Sequence, residues 1–201
     1  MTTPPLHAQV LARHPSAQEW LELLGNLGRA PATLDAYGRA LAHYLLHCEG
    51  SGLRPESATF EQVTLYIREL LPGAKNAVAN STLQQRLTAI RLWYDHLVFQ
   101  GLRKQNPVPR GQHGRLLQVP GHEGFVRGLV PRLTKLPQIP TDEQWRHFLS
   151  IAARSSIRDR LMLSLAYFGA LRRSELIALR IEDLDVAHRL ISIRAETTKG
   201  K

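Results

Sequence analysis

The sequence predicts a mainly α chain: a four-helix bundle at the N-terminus, a basic connection, and the start of a mixed α/β unit. Three observations predict it. Four apolar stripes at helical spacing occupy the first hundred residues, separated by short Gly- or Pro-bearing breaks. Residues 103–140 then lose all periodicity and hold Pro107, Pro109, Pro120, Pro131, Pro137 and Pro140. Beyond them, two helical patterns and a short one are followed by an alternating LISIR run, which is a strand signal.

The elements follow in order. Trp20, Leu21, Leu24 and Leu27 set the stripe of the first helix, over 17–27, which Gly25 weakens and Gly28 ends. Pro31 or Thr33 starts the second, with Leu34, Tyr37, Leu41, Tyr44 and Leu45 inward and Gly50 and Gly52 at its end. Thr59 opens the third, which Pro72–Gly73 stops. Asn80 or Ser81 caps the fourth, whose buried side is Leu83, Leu87, Ile90, Trp93, Tyr94 and Leu97, and Gly101 closes it. Short loops between four such helices make a compact bundle the natural package. Residues 103–140 read as an interdomain connection, with a short ordered stretch at Phe125 to Val130. Thr141, followed by Asp142 and Glu143, opens the second unit with an N-cap and an acidic first turn. Ile157 to Phe168 is its second helix, RRSELIALR its third, IEDLD a polar turn and Leu190 to Arg194 a strand; Thr197 to Lys201 read as a hairpin turn without its return strand.

Composition narrows the function. One cysteine, Cys48, permits neither an internal disulfide nor a multi-cysteine metal site, and a reducing cytoplasm is the expected location. No apolar run reaches the ~18 residues of a membrane span, so no membrane partner is expected. No Gly-rich nucleotide loop and no HExxH motif occurs, and Asp183/Asp185 lacks a further ligand, so neither a cofactor, a metal nor a small-molecule substrate is expected. The net charge is +9, and its distribution is uneven. Residues 1–98 balance at 8 basic and 8 acidic side chains, whereas 99–135 carry 7 basic residues against Glu123 alone. Such a run is either a solvated linker or a linker laid along phosphates.

Two residues stand out by position. Arg172 follows a glycine break at the start of a helix, with Glu175 three residues later. Spacing alone allows a plain solvated arginine paired with Glu175, or a guanidinium fork held for a phosphate. Lys199 lies in a short polar turn, where a lysine is ordinary.

The segment YFGALRRSELIALRIEDLD resembles the first catalytic motif of the tyrosine recombinase (phage integrase) family, through Leu171, Arg172, Ser174, Glu175, Leu176, Leu179 and Asp183. The resemblance implies that Arg172 contacts the scissile phosphate and stabilises the pentacoordinate transition state. TTKGK resembles the family's β-hairpin, which implies that Lys199 protonates the leaving 5′ oxygen; Lys201 is the alternative register. RAPATLDAYGRAL and NSTLQQRLTAIRLWYDHLVFQGLRKQNP resemble helices of the family's SAM-like core-binding domain. That likeness makes Thr33, Ser81, Thr82, Gln85, Arg86, Arg91, Arg103 and Lys104 candidate DNA contacts, most of them to phosphates.

The implied organisation is a core-binding domain over 1–102, a basic linker over 103–140 and the incomplete first part of the catalytic domain over 141–201. The implied partners are double-stranded DNA and other recombinase protomers, as a tetramer. The implied function is site-specific recombination and DNA integration through a 3′-phosphotyrosine. The family completes its site with a His-x-x-Arg box and a later tyrosine. No histidine here has an arginine three residues on, and Tyr37, Tyr44, Tyr66, Tyr94 and Tyr167 all precede Arg172. The chain is therefore expected to be truncated and not to cleave DNA alone. A non-catalytic DNA-binding or regulatory fragment that occupies recombination sites is the alternative. A helical interaction module unrelated to DNA would leave the linker charge unexplained.

Overall fold

The computed structural model describes residues 4–108, 129–131, 133 and 136–198. The chain divides into two compact units, Met1–Lys135 and Leu136–Lys201. It is mainly helical, and no helix among the described residues is long and apolar enough to cross a membrane.

Among its described residues the first unit has five α-helices: α1 (Leu6–Leu11), α2 (Pro15–Asn26), α3 (Pro31–Gly50), α4 (Phe60–Leu70) and α5 (Asn80–Phe99). The four expected helices are present, with proline at the first turn of α2 and α3. A fifth, α1, precedes them. It is six residues long, too short to show a period, yet it buries Val10 and Leu11. Charge pairs hold it on α3: Arg13 and His14, just past its end, both reach Glu49, at 2.7 and 3.0 Å, and His7 reaches Asp35 at 3.4 Å. The helices meet closely because Gly38 has no side chain; a Cβ there would lie 3.3 Å from Leu11 Cδ1.

α5 is the spine of the bundle and packs chiefly on α3. Its buried residues Leu83, Leu87, Ile90, Trp93, Tyr94 and Leu97 recur every three or four positions, as the sequence predicts. Full burial of such side chains contributes roughly 1.5–3 kcal/mol each. α4 starts with a capping box, in which Gln62 N–H donates to Thr59 Oγ1 at 3.4 Å and Thr59 N–H to Gln62 Oε1 at 2.9 Å.

Polar groups inside this core are chained together. Tyr94 Oη donates to the Pro55 carbonyl at 2.7 Å and lies 2.6 Å from Tyr44 Oη. A carbonyl only accepts, so the Tyr44 hydroxyl is the donor to Tyr94. Burial raises the pKa of both phenols, and that of Cys48 beside Tyr44 to about 11.

The exit from α5 is fixed, not loose. Asn106 donates to the Arg91 carbonyl at 2.9 Å and to Asp95 Oδ1 at 2.8 Å, while its own Oδ1 accepts from Val108 N–H. The far end of the Pro-rich stretch also returns to α5. Gln84 donates to the Val130 carbonyl at 2.8 Å, Asn80 to the Pro131 carbonyl at 2.9 Å, and Val130 joins the core. The ordered stretch expected at Phe125 to Val130 lies outside the described residues as far as position 128.

The second unit comprises α6 (Asp142–Ala152), α7 (Ile157–Phe168), α8 (Arg173–Ala178) and a two-stranded antiparallel ladder of β1 (Leu184–Asp185) and β2 (Leu190–Ile191). Leu184 pairs with Ile191 and Asp185 with Leu190. The strand expected over Leu190 to Arg194 is shorter, and its partner lies in the segment read as a polar turn. After β2 the chain enters a single 3-10 turn at Ala195–Thr197. The hairpin turn expected from Thr197 onward falls largely on positions outside the described residues.

α6 begins at a capping box made by Thr141 and Gln144, as its sequence announces. Trp145 stacks on Phe148 at 5.2 Å and meets Tyr167 of α7 at 4.7 Å. Apolar burial is otherwise slight here. Phe168, Leu161 and Ile151 stay exposed, and the buried side chains among the described residues of this unit are Glu175 and Asp183.

Candidate nucleic-acid interface

Four of the expected DNA contacts lie together. Ser81, Thr82, Gln85 and Arg86 fall within the first two turns of α5, where Ser81 and Gln85 are exposed and Thr82 and Arg86 half-buried. Hydroxyls, an amide and a guanidinium at a helix start are the groups that take phosphate oxygens. Arg91 lies farther along α5 and is half-buried. Thr33 lies on another element, in the first turn of α3, and Lys104 is exposed beyond α5.

Arg86 has a setting that the sequence did not reveal. Its Nη1 donates toward His43 of α3, 3.1 Å from Nε2 and 3.3 Å from Nδ1. His43 Nδ1 is also 3.0 Å from the Tyr66 hydroxyl of α4. One turn along α3, His47 pairs with Glu69 at 3.1 Å. Desolvation, then the Arg86 charge, lowers the pKa of His43. Burial raises Tyr66 to about 12. No signal of spacing links His43, Tyr66 and Arg86, which come from three helices.

Arg103, also expected as a DNA contact, has its partners within the fold. Its guanidinium points into the fold. Nη1 donates to the Glu56 carbonyl at 2.8 Å, Nη2 to Ala58 at 3.0 Å and Nε to Gln105 at 2.7 Å, and its carbon sits 4.6 Å from the Tyr94 ring centroid. All three nitrogens donate to backbone carbonyls, and these bonds pin the chain leaving α5.

In the second unit, Arg172 stands at the N-cap of α8, just after Ala170 in a left-handed conformation at φ 50°. Its backbone N–H donates to Glu175 Oε2 at 2.8 Å and its Nη1 to Glu175 Oε1 at 2.9 Å. Glu175 is 6% exposed while the Arg172 side chain is 59% exposed. The buried carboxylate thus grips the base of an arginine whose outer edge faces water. These bonds from Arg172 hold the Glu175 carboxyl below the ordinary carboxylate range.

A second buried carboxylate braces the strands. Asp183 accepts from Arg180 N–H at 2.8 Å and pairs with Arg194 at 3.2 Å; Arg194 also donates to the Ala178 carbonyl, at the end of α8. The ladder is therefore tied to the helix that Arg172 begins. Lys199 and the alternative Lys201 lie outside the described residues. No group of three or more metal-ligating side chains occurs among the described residues.

Residues 140–201 match the model described as the phage integrase family. That span contains Arg172, Glu175 and Asp183, the three residues around which the second unit is built. Across a much longer stretch the chain is similar to a tyrosine recombinase XerC of Chromohalobacter salexigens, 32% identical over 172 residues, which is 86% of this chain and 52% of the relative. Residues 140–201 thus carry the family match, and most of the chain is similar to tyrosine recombinases. Other relatives give the same picture. A tyrosine recombinase XerC of Mycobacterium leprae is 28% identical over 184 residues, 87% of this chain and 54% of the relative. One of Pelobacter propionicus is 28% identical over 175 residues, 86% and 52% respectively. The chain spans about half the length of these relatives.

Proposed function

We propose that this chain is the DNA-gripping part of a site-specific recombinase. In this reading the first unit is a core-binding domain that holds duplex DNA through Ser81, Thr82, Gln85 and Arg86 on α5, with Thr33, Arg91 and Lys104 adding contacts. The second unit is the beginning of a catalytic domain, and Arg172 is its phosphate-binding arginine. The observation that carries the proposal is the Arg172–Glu175 pair. Glu175 is 6% exposed and fixes both the backbone and the guanidinium of Arg172, yet leaves 59% of that side chain open.

An arginine held this way is pre-aimed. It needs no reorganisation when negative charge builds on a pentacoordinate phosphorus, and such placed charge is commonly worth about 3 kcal/mol of barrier. Lys199, a few residues beyond the Arg194–Asp183 brace, delivers a proton to the leaving 5′ oxygen. The attacking tyrosine comes from outside these 201 residues. Tyr44, Tyr66 and Tyr94 are buried in the bundle, and Tyr167 is engaged with Trp145 and Phe168. Other protomers assembled on the same DNA complete the recombining complex. The charge supports a polyanionic partner: seven basic side chains against one acidic lie in 99–135.

The test is equilibrium binding to a fluorescein-labelled duplex across a salt series. The expected result is a steep fall of affinity with salt, with a log–log slope of about −0.9 for each phosphate neutralised. Arg86→Ala makes that slope shallower by about 0.9. A slope near zero for the wild-type chain would overturn the reading.

A further inference from the structure

We propose that His43 is a DNA-binding residue of the first unit, and that it takes up a proton when a backbone phosphate reaches Arg86. The proposal rests on the reading of α5 as a DNA-binding helix. It names the chemistry of one contact and a control on it.

The geometry sets the starting state. An arginine nitrogen can only donate. Arg86 Nη1 is nearer to His43 Nε2, at 3.1 Å, than to Nδ1, at 3.3 Å. The tautomer with its proton on Nδ1, which faces Tyr66 Oη at 3.0 Å, leaves Nε2 as the acceptor for Arg86. The free protein thus holds a neutral imidazole against a fixed cation. Around His43 stand Arg86 from α5, Tyr66 and Glu69 from α4, and His47 on its own helix. Glu69 is already paired with His47 at 3.1 Å. The balance of these groups disfavours His43 protonation; burial and Arg86 lead, and both lower its pKa.

A phosphodiester at Arg86 reverses that balance. The guanidinium turns its donors to the phosphate oxygens, which releases the lone pair on Nε2. The incoming negative charge then stabilises an imidazolium a few ångströms away. A proton from water binds Nε2, and the new N–H donates to the phosphate. His43 becomes a second cation on the same phosphate. The sign follows from linkage. The complex binds one more proton than the separated partners, so affinity rises as pH falls. The effect operates between the lowered pKa of His43 in the free protein, below 6.5, and its raised value in the complex.

The experiment measures the affinity of the whole chain for a random-sequence duplex at constant ionic strength from pH 8 to pH 6. Wild-type affinity is expected to rise by roughly three- to tenfold per pH unit through part of that range. His43→Gln keeps a hydrogen-bonding side chain and is expected to lose most of the rise, its affinity changing little from pH 8 to pH 6. Titration of the wild-type histidine ring signals by NMR needs no substitution. It is expected to place the His43 midpoint below 6.5 in the free chain and at a higher pH in the complex. Equal pH dependence in His43→Gln and wild type, or a His43 midpoint that DNA does not raise, overturns the proposal and leaves DNA binding standing. Failure of the wild-type chain to bind DNA at any pH overturns both.

Discussion

Replacing Arg103 by alanine separates an arginine bonded within the fold from Arg86, the arginine proposed to hold DNA. Arg103 makes three hydrogen bonds to backbone carbonyls, at 2.7, 2.8 and 3.0 Å, and lies over the Tyr94 ring at 4.6 Å. A net hydrogen bond is worth about 1 kcal/mol, and a partly desolvated cation–π contact about 1 kcal/mol more. The Gln105 carbonyl lies on an exposed residue and regains water, whereas Glu56 and Ala58 accept Arg103 in partly buried bonds. The expected loss is therefore about 2–4 kcal/mol. Urea unfolding followed by tryptophan fluorescence reads it, because Trp93 lies 4.8 Å from the Tyr94 ring. Below the unfolding transition, the salt slope of DNA binding is expected to match wild type. Arg86→Ala gives the opposite pair of results, a shallower slope with little loss of stability. If Arg103→Ala flattened the slope by about 0.9 and left stability unchanged, Arg103 would be a phosphate contact and the argument would fail.

Three further outcomes follow from the same geometry. Tyr94→Phe removes the partners of the Tyr44 hydroxyl and the Pro55 carbonyl, and is expected to cost about 2–4 kcal/mol, against about 1–2 kcal/mol for Tyr44→Phe, which leaves the Tyr94–Pro55 bond in place and takes a partner only from the weakly bonding Cys48 thiol; a larger cost for Tyr44→Phe in urea unfolding would contradict the assigned donor direction. Glu175 has a lowered folded pKa, so its contribution is present above the ordinary value of 4.5 and is lost as pH falls through the lowered one. The Arg172 amide resonance should titrate in that acidic window in wild type and stay still in Glu175→Gln. Thr59→Ala removes the capping box of α4 and should lower the stability of the first unit by about 1 kcal/mol in the same unfolding assay.

The bundle was legible where sequence carries periodicity. Leu83 to Leu97 announces α5, and Thr59 and Thr141 announce the starts of α4 and α6. α1 was not legible because six residues give less than two turns, and what holds it, the burial of Val10 and Leu11 and polar contacts to α3, comes from across the fold. The strands were hard to read because only two residues of each pair. At the site, the position of Arg172 was plain from its motif, but the burial of Glu175 was not. A carboxylate near an arginine reads as solvent-exposed until the fold covers it. Arg103 and Arg86 look alike in sequence. The acceptors that distinguish them, a set of carbonyls after α3 and an imidazole on α3, come from distant stretches of chain.

The two units keep their shape by different physics. Hydrocarbon fills the first, and hydrocarbon is indifferent to ions. The frame of the second is keyed by Glu175 and Asp183, each gripped by an arginine that water reaches at least in part. In a chain that grips DNA as proposed, added salt acts from two directions. It loosens the hold on the polyanion from outside, and it softens the internal pairing that orients Arg172. Grip and aim then weaken together, so ionic strength sets how well the arginine is pointed as well as how often DNA arrives.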